Sequence, residues 1–486
     1  MSSISHSSSR TSRHLIKTTK PAFVLTTPYR LLLGTLCVVL LSLLVIRQTG
    51  TAYSTALDTI NQIGTINSVV VDASEHALES LVGTSQAAAD HLSLASNSPL
   101  GAQRLAASQE HFAYFRAQMF TLRAQVQTSE ERTVIDRIEA ATYNRFWLSM
   151  GALLSAKQRG DDISARVEYL SIEAQLTNPI VPILQQLETL NYEQMVATGQ
   201  RANSLINTQV FLLAIPALGL AGLLTGLSFW VRRTLRRYLT PGFDAAMIIA
   251  WVLAVVMLVQ ILSVPGRLHV MISDAYRSIS ASSRVLVDAQ LANCAESSAL
   301  LDVSHSEDWI RKFNEASMLI ELRLCGAPGC TAQPFLRAGT TDTADPLIEQ
   351  KARAISPDNS TRIGGVIPMI GNVTFAGEAA TLERARQMYL SYQQAHAQLQ
   401  QYLMAGDLAR AVDFNTSSEV GQSEATFQAF VDAISQERTI NRVVFDAVWM
   451  EQSVLLPRHQ IVLGVMGYLL MIALIAGGMW HRFREL

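Results

Sequence analysis

The stretch that decides the fold is residues 210–264, in which VFLLAIPALGLAGLLTGLSFWV (210–231) is followed by RRTLRRYLTPGFD (232–244) and AAMIIAWVLAVVMLVQILSV (245–264). Each apolar run has about the 20 residues that a helix needs to cross a bilayer. The connection between them carries four arginines: Arg232, Arg233, Arg236 and Arg237. Basic residues close to membrane spans stay on the cytoplasmic side. The sequence therefore predicts two transmembrane helices joined by a cytoplasmic basic loop.

Two further apolar stretches, 31–46 and 461–480, lie near the ends of the chain. The first is short for a hydrocarbon core of about 30 Å, but Tyr29 and Gln48 can occupy the interfaces. The leader and the tail are both basic, so we expect both termini in the cytoplasm. A cleaved signal peptide is the alternative for the first stretch. Arg47 follows it at once, however, and no small-x-small cleavage site is found.

Four alternating crossings predict an all-α, multi-pass protein of the cell membrane, with four transmembrane helices and two extracytoplasmic helical-bundle domains. The predicted segments are a basic cytoplasmic leader (1–30), transmembrane helix 1 (31–46), extracytoplasmic bundle 1 (47–209), transmembrane helix 2 (210–231), the cytoplasmic basic loop (232–244), transmembrane helix 3 (245–264), extracytoplasmic bundle 2 (265–460) with an insert at about 294–372, transmembrane helix 4 (461–480) and a cytoplasmic tail (481–486).

The succession of span, outer domain and span occurs twice, which indicates an internal duplication. Thr27-Pro28 precedes the first span and Thr240-Pro241 precedes the third. Within the outer domains, Gly160-Asp161 recurs as Gly406-Asp407. Glycine suits the left-handed exit from one helix and aspartate the N-cap of the next. We therefore expect the same helical hairpin in both halves.

The first outer domain is predicted to contain four helices. Apolar residues three and four apart between Ile60 and Leu81 form a narrow helical seam. Thr128 and Glu131 have the spacing of a capping box at the start of a later helix. Pro179 and Pro182 are expected to interrupt the last helix.

The cysteines favour a disulfide over a metal or catalytic site. Cys325 and Cys330 flank a turn that contains glycine and proline, in a compartment that oxidises thiols, so we expect them to be bridged. Cys294 then has no partner in this bridge, and either a disulfide that involves Cys294 or a free Cys294 thiol remains an alternative. A metal site would depend on His305, which lacks ligand spacing from these cysteines.

Composition excludes several functional classes. With 38 Lys+Arg against 40 Asp+Glu, the chain of 486 residues has no basic field to bind nucleic acid. It lacks the H-E-x-x-H, G-x-S-x-G, Walker and G-x-G-x-x-G motifs, so neither an enzyme nor a cofactor is expected. No span carries a charged residue or histidine in its core, which disfavours transport. Gln260 is the main polar exception, and an interhelical hydrogen bond explains it best.

The four arginines have two candidate roles, as topology signals that also attract anionic membrane lipid and as a docking site for a cytoplasmic partner. The cytoplasmic segments are too short to contain a catalytic domain. Outer bundles joined to the membrane by continuous helices are suited to transmitting a helix shift across the bilayer. This layout favours a transducer with partners on both sides.

Three motifs occur in one order along the chain: Thr26-Thr27-Pro28-x-Arg30 before the first span, the arginine-rich connection that ends in Pro241-Gly242, and the Ala405-Gly406-Asp407…Ala411 hairpin. Together they resemble the GlnX-type actinobacterial four-pass membrane proteins. In that family the membrane protein links an extracytoplasmic amino-acid-binding lipoprotein to a cytoplasmic serine/threonine kinase that adjusts 2-oxoglutarate and glutamate metabolism. The resemblance implies a non-enzymatic signal transducer for amino-acid availability with these two partners. The insert at 294–372 departs from the family pattern.

Two other functions stay open at this stage. A cell-envelope assembly or scaffold protein would have the same architecture without carrying a signal. A transporter would have to produce a flux of substrate in vesicles that contain this protein alone. The seams on the bundles also fit a homodimer.

Overall fold

The computed structural model describes residues 27–95, 98–235, 241–332, 368–451 and 456–483. Within these ranges the chain is helical and contains no strand, which confirms the all-α class. The α-helices are α1 (Thr27–Asn61), α2 (Ser68–Ser93), α3 (Pro99–Gln125), α4 (Ser129–Ala141), α5 (Trp147–Gln158), α6 (Asp162–Gln175), α7 (Val181–Leu235), α8 (Pro241–His269), α9 (Arg277–Leu301), α10 (Ser306–Cys325), α11 (Glu378–Met404), α12 (Leu408–Thr416), α13 (Ser423–Met450) and α14 (Leu456–Phe483).

Short helical segments of other types connect several of these helices. The π-helical segments are Gln62–Asn67, Thr142–Phe146, Leu176–Ile180 and Val270–Tyr276, and the 3-10 segments are Val303–His305, Cys330–Ala332 and Met369–Asn372. Two of the π segments, Gln62–Asn67 and Val270–Tyr276, stand directly before α2 and α9. π turns recur at functional positions of helices.

Among the described residues, three helical runs are long and apolar enough to cross a membrane: Leu32–Ser93, Asp162–Arg233 and Pro241–Leu301. This is compatible with a multi-pass membrane protein. The fourth predicted span corresponds to a shorter apolar helix, Val462–Gly477, in the part of α14 that the structure describes. Apolar side chains such as Phe211, Phe229 and Val259 are more than half exposed, as side chains that face lipid would be.

The chain divides into two compact units, each formed by separate parts of the sequence. One unit, the apolar unit, comprises 1–48, 212–257 and 463–486; the other, the bundle unit, comprises 49–211 and 258–462. The sequence divided the bundle unit into two outer domains. In the structure its two segments share one unit because α2 packs against α9.

The expected interruption of the last helix of the first half is absent. Pro179 lies inside a π segment and Pro182 in the first turn of α7, and the chain stays helical on both sides of them. A proline lacks the amide hydrogen that an α-helical turn would use, and a π segment accommodates this by shifting the hydrogen-bond pattern. This prediction of a break was therefore wrong. α7 continues through Pro216 to Leu235.

The predicted turn and capping signals are confirmed. Gly160 and Gly406 both have positive φ, at 73° and 71°. Asp161 and Asp407 then cap the following helices by accepting hydrogen bonds from backbone amides three residues later. The capping box at Thr128 is complete. The helical hairpin predicted around each Gly-Asp pair is therefore present in both halves.

The interior of the bundle unit is organised around α2 and α9, which we call the central pair. Almost every residue of both helices is buried. Two apolar clusters flank them, one formed mainly by α2 to α7 and the other by α9, α10, α11 and α13. An amphipathic surface helix buries one face, so burial all round places the central pair inside the bundle.

Candidate functional site

The two helices of the central pair are parallel and in register. Three side-chain contacts run along them: Ser283 Oγ to Glu75 Oε2 at 2.6 Å, Cys294 Sγ to Ser85 Oγ at 3.9 Å, and Ser297 Oγ to Asp90 Oδ1 at 2.7 Å. The sequence separations are 208, 209 and 207, so residue numbers rise together on both helices. Serine and alanine are frequent in both helices, and such small side chains allow the backbones to approach closely.

A cavity of about 160 Å³ lies beside the central pair. We call it the carboxylate cavity. Its lining residues come from α2, α7, α9 and α10: Glu75, Leu78, Gln185, Glu188, Thr189, Ser283, Arg284, Val287, Asp288 and Arg323. Three carboxyl groups and two guanidinium groups therefore surround one small volume.

Two ion pairs use both guanidinium groups of this cavity. Arg284 Nε donates to Glu188 Oε1 at 2.7 Å, and Arg323 Nε donates to Asp288 Oδ2 at 2.6 Å. Glu75 is the third carboxyl. It accepts a hydrogen bond from Ser283 through Oε2, whereas its buried Oε1 has no hydrogen-bond partner within the described ranges.

Burial and negative neighbours shift the proton affinity of the cavity carboxyls. Burial, with the nearby charges of Glu188 and Asp72, raises the pKa of Glu75 to about 8. Burial raises the pKa of Asp288 to about 6, although the Arg323 guanidinium opposes the shift. These pKa values favour the protonated form of Glu75 and the ionised form of Asp288 at neutral pH.

A second charged group lies toward the carboxyl-terminal ends of the central pair. Arg104 of α3 donates to Glu424 of α13 at 2.9 Å, lies 3.7 Å from Asp90 of α2, and donates to the Thr416 carbonyl at 3.3 Å. Burial, together with the charge of Glu424, raises the pKa of Asp90 to about 7. Arg104 thus joins helices from both halves of the chain.

Glu296 of α9 forms the centre of a neighbouring buried network. It accepts hydrogen bonds from Tyr392 at 3.1 Å and Ser423 at 2.9 Å, and His396 Nδ1 lies 2.6 Å away. Sequence reasoning missed these buried acids. Their burial could have been inferred from the sequence, because these acids lie within runs of mostly small and apolar residues. A charged residue of a helix more often lies on a solvated face.

The basic loop is only partly described. Arg232 Nη2 lies 2.7 Å from Asp244 Oδ1, and Asp244 also accepts a hydrogen bond from Ser228 at 2.7 Å. This contact joins α7 to α8, so Arg232 has a structural role. Arg233 is exposed. The remaining predicted contact residues, Arg236 and Arg237, lie outside the described residues, as does most of the leader.

Cys325 and Cys330 are joined in a disulfide at the end of α10. Cys294 is a free, buried thiol beside Tyr169, and burial raises its pKa to about 11. A thiol held protonated in this way is a poor nucleophile.

His305 is near Asp302, and the described residues contain no group of three or more metal-binding side chains. Residues 333–367 of the predicted insert lie outside the described ranges.

Gln260 makes the kind of contact expected from its sequence. Its Oε1 accepts a hydrogen bond of 2.6 Å from the Tyr53 hydroxyl, which joins α8 to α1. A side-chain amide that forms a hydrogen bond to a neighbouring helix contributes to helix packing, so substrate binding is not needed to explain Gln260.

Comparison with known proteins adds no relative to this picture. No family model matches the chain, and neither a curated protein nor a solved structure is significantly similar to it.

Proposed function

We propose that this chain is a non-enzymatic transmembrane signal transducer that relays amino-acid availability from an extracytoplasmic solute-binding lipoprotein to a cytoplasmic serine/threonine kinase. In this proposal four helices cross the membrane, both termini are cytoplasmic, and the bundle unit faces outward. The two halves arose by internal duplication. The parallel register of the central pair and the π segment before each of its helices support that duplication.

The observation that carries the proposal is the construction of the central pair. α1 continues through a π segment into α2, and α8 continues through a π segment into α9, so each apolar helix is covalently extended by one helix of the pair. Three polar side-chain contacts, each with a serine or cysteine partner, join α2 to α9. Such contacts can be exchanged for equivalent ones when one helix moves along another, whereas interlocked large apolar side chains resist this movement.

A cross-link between α2 and α9 tests this movement directly. Ser85 lies 3.9 Å from the Sγ of Cys294, so Ser85→Cys places two thiols side by side across the pair. We expect the oxidised variant to lose the response of kinase substrates to amino-acid supply and to regain it after reduction. Ser85→Ala is the matched control, and it should respond normally.

Two results would count against the transducer, and one of them would favour a scaffold. A variant that mass spectrometry shows to be cross-linked, yet whose response is complete, would exclude relay through the central pair. A deletion strain with a defect in wall integrity that is independent of amino-acid supply would favour the envelope scaffold.

The docking role of the basic loop needs a variant that spares the contact between α7 and α8. Because Arg232 pairs with Asp244, we propose replacing Arg233, Arg236 and Arg237 with glutamine and leaving Arg232 in place. Membrane insertion should be intact and kinase recovery in a mild-detergent pull-down should fall. Unchanged kinase recovery would limit the arginines to topology and lipid contact.

A further inference from the structure

Glu75 is the one cavity carboxyl that forms no ion pair with an arginine of the carboxylate cavity, although the charge of Arg284 acts on it. Its side chain is buried, with 5% of the residue exposed, and Oε1 lacks a hydrogen-bond partner in the part of the chain that the structure describes. An unsatisfied buried carboxyl oxygen is costly, and it needs an explanation such as a bound ligand.

The charge around this oxygen defines the ligand chemistry. Arg284 and Arg323 are engaged by Glu188 and Asp288, so an ionised Glu75 leaves the cavity with one uncompensated negative charge. A ligand that neutralises it must be cationic and must donate hydrogen bonds. A metal ion fits poorly because Glu188 and Asp288 are paired with arginines, and the described residues contain no group of three side chains placed to hold a metal. A primary ammonium group has the required charge and three donors.

From this geometry we propose that the carboxylate cavity binds the primary ammonium group of a small organic molecule, with Glu75 Oε1 as the acceptor. A cavity of about 160 Å³ accommodates a ligand of a few non-hydrogen atoms. Of its lining residues on α7, Thr189 is exposed and Gln185 is half-buried, so the cavity reaches solvent beside this helix. The inference goes beyond the proposed function and does not depend on it.

Binding in this form exchanges a proton. Without ligand, burial favours the neutral carboxylic acid of Glu75; when the ammonium group enters, the carboxyl releases its proton to solvent and the carboxylate pairs with the cation. The charged and titratable groups that face or influence Glu75 come from several elements: Asp72 on α2, Glu188 on α7, Tyr276 at the end of the π segment before α9, Arg284 and Asp288 on α9, Arg323 on α10 and Arg438 on α13. Affinity should therefore increase as the pH rises toward 8.

The experiment is calorimetric titration of the purified full-length protein in lipid nanodiscs. The probes are methylammonium, ethanolamine and glycine, and tetramethylammonium is the control because it is cationic but has no N–H donor. Titration at pH 7 in two buffers of different ionisation enthalpy measures proton release. We expect a primary ammonium probe to bind with release of a proton. Glycine binding more tightly than the simple amines would identify amino acids as the source of the ammonium group, and the reverse would identify amines.

Three variants test the assigned residue. Glu75→Gln keeps the shape and the Ser283 contact, and it should weaken binding by roughly 30-fold or more because a buried charge partner is lost. Thr189→Trp closes the entrance without changing the carboxyl, and it should also abolish binding. Glu110→Gln, at an exposed position on α3, should bind normally. The proposal is overturned if none of the three primary ammonium probes binds, if tetramethylammonium binds equally well, or if Glu75→Gln keeps full affinity in a folded protein.

Discussion

Replacement of Arg104 by methionine tests the energetics of the bundle unit most directly. Arg104 is the cation between two buried acids, with Glu424 at 2.9 Å and Asp90 at 3.7 Å. Methionine keeps most of the apolar length of the side chain but removes its charge and its donors. Asp90 and Glu424 would then face one another in a buried site without a counter-ion.

The magnitude follows from these contacts. Removing one partner of a buried ion pair costs about 3–5 kcal/mol, because the remaining charge is left without compensation. Burial already raises the pKa of Asp90 to about 7, so the variant can relieve part of this cost by protonating Asp90. The loss of stability should therefore be largest near pH 8 and smaller near pH 5.5.

The assay is the melting temperature of the full-length protein, followed by intrinsic fluorescence at both pH values. We expect a decrease of about 5 °C or more at pH 8, from the usual relation between unfolding free energy and melting temperature. Arg104→Met combined with Asp90→Asn should recover part of the loss, and Arg132→Met, at an exposed position on α4, should be neutral. An Arg104→Met protein as stable as the wild type at pH 8 would refute this account of the buried charges.

Three further predictions concern buried acids and thiols. Burial raises the pKa of Glu437 from 4.5 to about 8, so between these pH values the folded state holds a proton that the unfolded state releases. The melting temperature should therefore fall as the pH rises from 5 to 8, and Glu437→Gln should make this dependence on pH less steep. An unchanged slope in this variant would show that Glu437 does not contribute to it. Replacing Cys325 and Cys330 by serine should cost about 2 kcal/mol of stability, as expected for a short closed loop. Alkylation of the native protein before reduction should leave both of these cysteines and the buried Cys294 unmodified, and labelling of Cys325 or Cys330 at that stage would contradict the disulfide.

Local features of the fold could be predicted because they depend on neighbouring residues. The Gly160-Asp161 and Gly406-Asp407 hairpins and the capping box at Thr128 are all determined within a few residues of chain. The break predicted at Pro179 was wrong because proline was treated as a helix terminator, whereas a π segment accommodates it.

The candidate site could be predicted only in part. The role of Arg232, Arg233, Arg236 and Arg237 as partner or lipid contacts stays a prediction. Nothing in the sequence indicated that Arg232 pairs with Asp244, because this pairing requires α7 and α8 to be adjacent. Glu75 was not identified because it lies beside the apolar seam of α2 and resembles an ordinary helical acid. Its burial depends on α9, whose contact residue Ser283 is 208 positions away.

The sequence by itself therefore determined the helical class, the long apolar runs and the turn chemistry, since hydropathy, periodicity and capping act over short distances along the chain. Only the tertiary structure decided that the segments within 49–211 and 258–462 share one unit around a parallel, polar central pair. Arg104 and Glu424 are separated by 320 residues, and such partners are chosen by packing geometry, which no local pattern encodes. The burial of the acids, and with it their raised pKa values and the carboxylate cavity, follows from that packing.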